Sequence, residues 1–272
     1  MSNPIITLTT DFGLSDACVA AMKGVILGIN QRATLVDISH EVRPQQILQA
    51  AFLTQSAWPH FPPEALHLAV VDPGVGTERS ALALQTPGGR FVGPDNGVLS
   101  SALPDEGRPN GDYTAREVEL LAGHRAFAIT NERYLRAPVS ATFHGRDVFA
   151  PAAAHLSLDV PIEDLGDPVE SVLALPPLRA SRDDAGLRAQ VIHIDRFGNV
   201  VLDARAEDAG PSFAVEIAGQ LVPGPVRTYA EASGLAAVVG SAGYLEIVLP
   251  SGNAAQALDV DLGEPAFVRA SA

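Results

Sequence analysis

The chain has a single cysteine, Cys18, among 272 residues. One thiol cannot close an intrachain disulfide, which excludes a disulfide-built scaffold and suits a reducing cytoplasm. Cys18 itself reads as a small apolar residue on the first helix. Basic residues are also scarce: 18 Lys and Arg stand against 32 Asp and Glu, a formal charge of −14. Nucleic acid and anionic membrane both reward clustered cations, so neither is expected as a partner, whereas a small cationic ligand is tolerated. No apolar run approaches the roughly 18 residues of a membrane-spanning helix. Met1-Ser2-Asn3-Pro4 runs straight into a strand pattern, so no secretory leader is expected.

Several motifs are missing too. The turn after the first strand, Thr9-Thr10-Asp11-Phe12-Gly13, lacks the G-x-G-x-x-G of a dinucleotide fold, and there is no P-loop. No His or Cys pair stands at zinc-ligand spacing, so no metal site is expected. A Gly-x-Ser-x-Gly elbow for a hydrolytic serine is absent. No cofactor is expected.

What is present is a composition of 47% hydrophobic and 18% charged residues, enough for a substantial core. Ile5 to Thr9, Ala33 to Ile38 and Leu68 to Val71 read as strands. Between them lie helical patterns. In the first, Val19, Met22, Ile26 and Ile29 recur at helical spacing after a cap at Ser15 or Asp16. In the second, Pro44 occupies the first turn and Ile47, Ala50, Ala51 and Trp58 share a face. This alternation predicts an α/β N-terminal domain with a mostly parallel, helix-flanked sheet. Ala81 to Thr86 and Arg90 to Val92 flank Pro87-Gly88-Gly89 as a hairpin, Ala126 to Thr130 reads as a further strand, and an Ala-rich helix follows Val148. The expected organisation is a first domain over 1–172, a connection over 173–186, and a smaller all-β domain over 187–272. Short strands alternating with turns make that second domain an antiparallel barrel or sandwich.

Chemistry gathers on strand ends. Asp11, Asp37, Asp72 and Asp95 each end or follow a strand, where open α/β sheets place ligands. Any one of them is equally a turn or cap residue; four together point to a polar cleft. Asp72 opens Asp72-Pro73-Gly74-Val75-Gly76, with Arg79 seven residues on. Read alone, that stretch is equally a Pro-Gly turn with exposed charges. His144 stands beside Gly145, Arg146 and Asp147 ahead of a helix, placed to exchange a proton with a carboxylate or water. The other histidines, His40, His60, His67, His124, His155 and His193, carry no such signal.

Five motifs stand in one order: Thr10-Asp11-Phe12-Gly13, the Asp72 to Thr77 turn, Gly93-Pro94-Asp95-Asn96-Gly97, the Thr142 to Asp147 run, and Asp195-Arg196-Phe197-Gly198-Asn199. In that order, from about residue 5 to residue 268, the chain resembles the S-adenosylmethionine hydrolases, or SAM hydroxide adenosyltransferases, relatives of the fluorinating and chlorinating enzymes. The resemblance implies attack of water on C5′ of S-adenosylmethionine to give adenosine and methionine. It also implies a homotrimer with each ligand shared between two subunits. Catalytic roles then fall to Asp72, Arg79 and His144, and Asp11 meets the ribose hydroxyls. Asp195, Phe197 and Asn199 meet the methionine amino group and the adenine, Ser241 the methionine carboxylate, and Glu246 the adenine side. Halogenating members carry tyrosine in place of Asp72, Tyr-Ser in place of His144-Gly145, and an inserted loop that residues 98–125 are too short to hold. They also carry arginine where Ala242 stands. The resemblance therefore favours hydrolysis. A non-catalytic binder of S-adenosylmethionine or adenosine is the alternative, and a halogenase the third.

Overall fold

In the computed structural model, which describes residues 3–270, the first apolar run forms strand β1 (Ile5–Thr10). Met1 and Ser2, half of the segment read for a leader, lie outside the described residues. Two compact units divide between Pro177 and Leu178, inside the stretch read as a connection. Both ends of that stretch are structured: strands occupy Ser171–Ala174 and Ser181–Asp183, and Leu175 and Leu178 are buried.

The first unit continues with α1 (Cys18–Ile29), β2 (Thr34–Ser39), α2 (Ile47–Ala57), β3 (Leu66–Val70), β4 (Ala81–Thr86) and β5 (Gly89–Pro94). It ends with β6 (Arg116–Glu119), β7 (Arg125–Ala128), α3 (Ala150–Leu156), β8 (Pro168–Val169) and β9 (Ser171–Ala174). Seven strands form one sheet in the order β2-β1-β3-β5-β4-β7-β8, while β6 pairs with β9. The pairs β2–β1, β1–β3 and β3–β5 are parallel; β5–β4, β4–β7 and β7–β8 are antiparallel. The sheet is thus evenly mixed, not mostly parallel. The tight hairpin at Pro87-Gly88 sets β4 against the direction of β5, and β7 and β8 then continue the sheet in alternating directions.

Val19, Met22 and Ile26 give α1 the buried stripe expected of it. Its start differs from expectation. Ala17 precedes the helix already in helical dihedrals, with no side-chain cap, and Ser15 and Asp16 are exposed. A capping side chain needs an extended backbone at that position, which Ala17 does not supply. Pro44 likewise lies ahead of α2 rather than in its first turn. Gln45 takes a left-handed φ of 67° between them, for a reason that appears at the site.

Successive side chains of β3 point to opposite faces of the sheet. Leu66, Leu68 and Val70 join a core with Met22 and Ile26 of α1 and the alanines of α3; Ala69 and Val71 join another with Ala50, Leu84 and Phe91. His67 is enclosed among Trp58, Phe61 and Phe91, with Nδ1 2.9 Å from Thr7 Oγ1.

The second unit is β-rich: β10 (Ser181–Asp183), β11 (Gly186–Ile194), β12 (Val200–Arg205), α4 (Ala206–Ala209), β13 (Phe213–Ile217), β14 (Gln220–Gly224), β15 (Ala236–Val239), β16 (Tyr244–Val248), α5 (Ala254–Leu258) and β17 (Pro265–Ala270). All its strand pairs are antiparallel, in the order β14-β13-β17-β11-β12-β16-β15, with β10 beside β11. A bridge from Val226 to Val238 brings the two ends of the sheet together, so the barrel is nearly closed. Phe213, Val215 and Ile217 alternate inward to fill it with Leu202, Leu245 and Ile247. Among the described residues no helix is long and apolar enough to cross a membrane.

Burial holds the His67 imidazole down to about 4, from an ordinary 6.5. Between those values the unfolded chain binds a proton that the folded chain refuses. Stability should therefore fall as pH drops from about 6.5 to about 4, by about 3 kcal/mol. Urea unfolding at pH 7 and at pH 4.5 measures this loss, and a His67→Phe variant is expected to lack His67's share of it.

Candidate active site

β3 ends at Val70, and the chain leaves it through Val71 into Asp72. The Asn96 side chain donates to the Val71 carbonyl at 2.9 Å, fixing this exit. Val75 then donates to the Asp72 carbonyl at 3.2 Å and Thr77 to the Gly74 carbonyl at 3.1 Å, so the loop curls back on itself. That curl returns Arg79 to Asp72. Arg79 Nε donates to Asp72 Oδ1 at 2.8 Å, and Nη2 donates to Oδ2, a two-point pair with both side chains nearly buried.

The same Nη2 lies 2.9 Å from His144 Nδ1. A guanidinium can only donate, so Nδ1 accepts and the ring proton sits on Nε2. Burial lowers the His144 pKa, and Arg79 lowers it further; Asp72 and Asp147 pull the other way. His144 is therefore neutral at neutral pH. Beneath the group, the Arg79 guanidinium carbon lies 5.2 Å from the centre of the Phe149 ring.

His144 enters the site from a π-helical turn, Gly145–Phe149, closed by the Ala150 N–H on the Gly145 carbonyl. Single π turns of this kind occur often at functional sites. Gly145 is pressed against Met22, Phe12 and Phe143, each about 3.2 Å from where a Cβ would stand. Phe12 meets Phe143 edge to face at 5.8 Å, which couples the Asp11 loop to the His144 loop. Asp11 Oδ2 accepts from the Gln45 N–H at 2.8 Å, and the left-handed turn at Gln45 is what aims that N–H. His40 anchors the same loop, since its carbonyl accepts from Gly13 N and its Nδ1 lies 2.8 Å from Thr10 Oγ1.

The four strand-end aspartates separate by their partners. Asp72 and Asp11 stand as described. Asp37 is bound to Lys23 at 2.6 Å and lies 3.0 Å from His40 Nε2. Asp95 accepts from the Leu173 N–H at 2.7 Å, and burial pushes its carboxyl up. Those two are tied to neighbouring elements of their own unit.

In the second unit, Asp195 shapes the turn from β11 to β12. Its Oδ1 accepts from the N–H groups of Phe197 and Asn199, and its Oδ2 from the Asn199 amide. The turn leaves the Phe197 ring 76% exposed. Ser241 is exposed in the tight turn from Gly240 to Tyr244. The Glu246 carboxylate sits against Gly240, where a Cβ would stand 1.8 Å from Oε1. Burial and then Asp195 raise the Glu246 carboxyl, and burial, Glu246 and Asp195 raise the Tyr229 hydroxyl. Asp195, Glu246 and Tyr229 therefore share one neighbourhood. Tyr229, at the start of a single 3-10 turn, has no sequence signal, being a lone aromatic outside any periodic run. Phe149 was equally illegible, and Asp147, though it ends the Thr142 to Asp147 run, carried no local sign that a π turn rotates it inward.

Gly76 joins the loop that carries Asp72 and Arg79 to the segment ahead of His144. Its φ is +78°, and a Cβ there would lie 2.4 Å from the Ala141 carbonyl oxygen. Gly13 has a similar φ of +63° with nothing within 4 Å. Gly13→Ala is therefore expected to cost about 1–2 kcal/mol from the backbone alone. Gly76→Ala should cost about 1–3 kcal/mol more, from the forced separation of the loops. Chemical denaturation of the two variants measures the difference.

Residues 6–166 match the family described as SAM hydroxide adenosyltransferase N-terminal domain, and residues 189–266 match the C-terminal domain of that family. The chain is 39% identical over 254 residues to an (R)-S-adenosyl-L-methionine hydrolase of Salinispora tropica, covering 88% of this chain and 91% of the relative. It is 40% identical over 270 residues to an (R)-S-adenosyl-L-methionine hydrolase of Thermus thermophilus, covering 94% and 96%. A fluorinase of Actinopolyspora mzabensis is more distant, 26% identical over 73% of this chain and 71% of its own. Among solved structures, an uncharacterized conserved protein of Thermotoga maritima superposes with a TM-score of 0.85 at 31% identity, covering 97% of this chain and 99% of that one. By both domain matches and by these identities, the chain belongs to the SAM hydroxide adenosyltransferase family.

Proposed function

We propose that the chain hydrolyses S-adenosyl-L-methionine, in the (R) form named for its relatives, to adenosine and L-methionine. The assembled group of Asp72, Arg79 and His144 carries this reading, because it offers an oriented acceptor for water and no other nucleophile. Water oxygen bonds to C5′ as the C5′–S bond breaks, and the electron pair leaves on sulfur as the methionine thioether. A sulfonium departs without protonation, so the protein needs no acid for the leaving group.

The water's proton is released late. In the tautomer held by Arg79, His144 has its acceptor nitrogen occupied and its other nitrogen already protonated. It is a donor to the site, not the first acceptor from water. Asp72 takes that part: the oxonium formed by attack on C5′ is a strong acid, and a carboxylate suffices to receive its proton. Arg79 acts as a clamp, with Nε and Nη2 both bonded to its partners. A halide is a poor guest here, since its negative charge would face the Asp72 carboxylate.

Asp11 is assigned to the ribose hydroxyls. The second unit supplies Asp195, Phe197, Asn199, Ser241 and Glu246, whose carboxylates and exposed ring suit a cationic, adenine-bearing ligand. We assign the two sets of residues to neighbouring copies in a homotrimer, and the protein, with its one free thiol, to the cytoplasm.

Incubation with S-adenosylmethionine, followed by chromatography of the nucleosides, tests the reading. Adenosine and methionine should appear in equal amounts whether or not chloride is present. Unchanged substrate would instead indicate a binder, and 5′-chloroadenosine a halogenase. Asp72→Asn is expected to lower kcat by about 10²-fold or more; undiminished turnover would remove Asp72 from the mechanism. Light scattering should give three chain masses.

A further inference from the structure

Asp147 is a fully buried carboxylate for which the mechanism above has no use. Four donors meet it. Arg146 supplies Nε and Nη2, both at 2.7 Å, Arg136 supplies Nη1 at 3.1 Å, and the Ser140 N–H stands at 3.0 Å. Each carboxylate oxygen thus receives two bonds. The Asp147 carbonyl also accepts from the Arg136 N–H at 2.9 Å. We propose that Asp147 is a positioning residue, whose one buried carboxylate sets the register between the loop carrying Asp72 and Arg79 and the turn carrying His144.

Three chains of contact lead from it. Through Ser140 it fixes the segment whose next residue, Ala141, seats its carbonyl against Gly76 in the Asp72 loop. Through its own backbone it closes the turn that holds His144, since the N–H groups of Arg146 and Asp147 both donate to the Phe143 carbonyl at 3.2 Å. Through Arg146, which lies 5.1 Å from the centre of the Phe143 ring, it braces the Phe143–Phe12 contact beside Asp11. An apolar side chain would fill the same space, but it would not direct the loops, because hydrogen bonds impose angles as well as contact and charge-assisted ones do so most strongly.

Arg146 first, then Ser140 and Arg136, hold the Asp147 carboxyl down to about 2, against burial, which raises it. Its charge is therefore constant across the working range of pH. Asp147 also raises the His144 imidazole, against burial and Arg79. Neutralising Asp147 lets His144 titrate lower still.

The proposal rests on reading Asp72, Arg79 and His144 as the hydrolytic group, so its test needs a readout that does not depend on turnover. In 15N-histidine-labelled protein, His144 should show one tautomer, with Nδ1 bare and Nε2 protonated. In Asp147→Asn those signals should move toward a tautomer mixture. On the scale of an ångström-sized displacement, kcat should fall about ten- to hundredfold, with KM changed by less than about threefold. Arg146→Gln, altering a partly exposed side chain, should move both readings in the same direction and decides the matter where Asp147→Asn does not fold. A folded variant with unchanged kcat and an unmoved tautomer overturns the proposal. So does a loss of kcat with the tautomer intact. Failure of the wild-type protein to consume S-adenosylmethionine sinks the hydrolytic reading, and the His144 signals still decide for Asp147.

Discussion

The Arg79 guanidinium is bonded at once to the Asp72 carboxylate and to His144 Nδ1 while lying over the Phe149 ring, and the surrounding loops fold so as to permit this. Removing a charge pair from water is costly unless the geometry is two-pointed and the remaining donors find partners. Here the loop after β3 curls tightly enough to return Arg79 to its own strand end. The π turn then brings a neutral acceptor nitrogen to the same guanidinium. Gly76 is where the two segments touch, and there is no room at that point for a side chain.

Charge is distributed to match the chemistry proposed. In the first unit the carboxylate beside the nucleophile's place is tied to an arginine, so the local field is balanced where neutral water must sit. In the second unit Asp195 and Glu246 share one neighbourhood, and burial first and then repulsion from Asp195 raise the Glu246 carboxyl. A ligand carrying a sulfonium and an ammonium would relieve that repulsion on binding. The overall charge of −14 is consistent with such a ligand and with no polyanionic one.

Much of this was legible in the sequence because the signals are local. Strand β3 is a short apolar run closed by turn residues, and Asp72 and Arg79 stand seven residues apart, while His144, 65 residues further on, is joined to them only by the fold. The β4–β5 hairpin was legible, but the antiparallel pairings of β7 and β8 were not, because they depend on contact with distant segments. Asp37 and Asp95 looked the same in sequence as Asp11 and Asp72: all four end or follow strands, and only their partners tell them apart. Gln45 gave no warning of its left-handed backbone, since that strain exists to aim one N–H at Asp11. Nothing in the run from Thr142 to Asp147 marks Asp147 as buried, whereas the π turn carries it fully inside.

Under the proposed mechanism, with Asp72 as the base, magnitudes explain why so much order surrounds so mild a base. A well-placed general base contributes about 10²–10⁴ in rate, or about 3–5 kcal/mol. Alignment of the reacting atoms contributes as much as about 7–11 kcal/mol when attack must be in line. With a sulfonium as leaving group, bond breaking is already easy and acid catalysis adds nothing. What remains is to hold one water behind C5′, opposite sulfur, in a pocket with few competing orientations. A strongly basic side chain would not improve that geometry. A rigid carboxylate, clamped through both oxygens by an arginine that is itself held by a histidine and an aromatic ring, does.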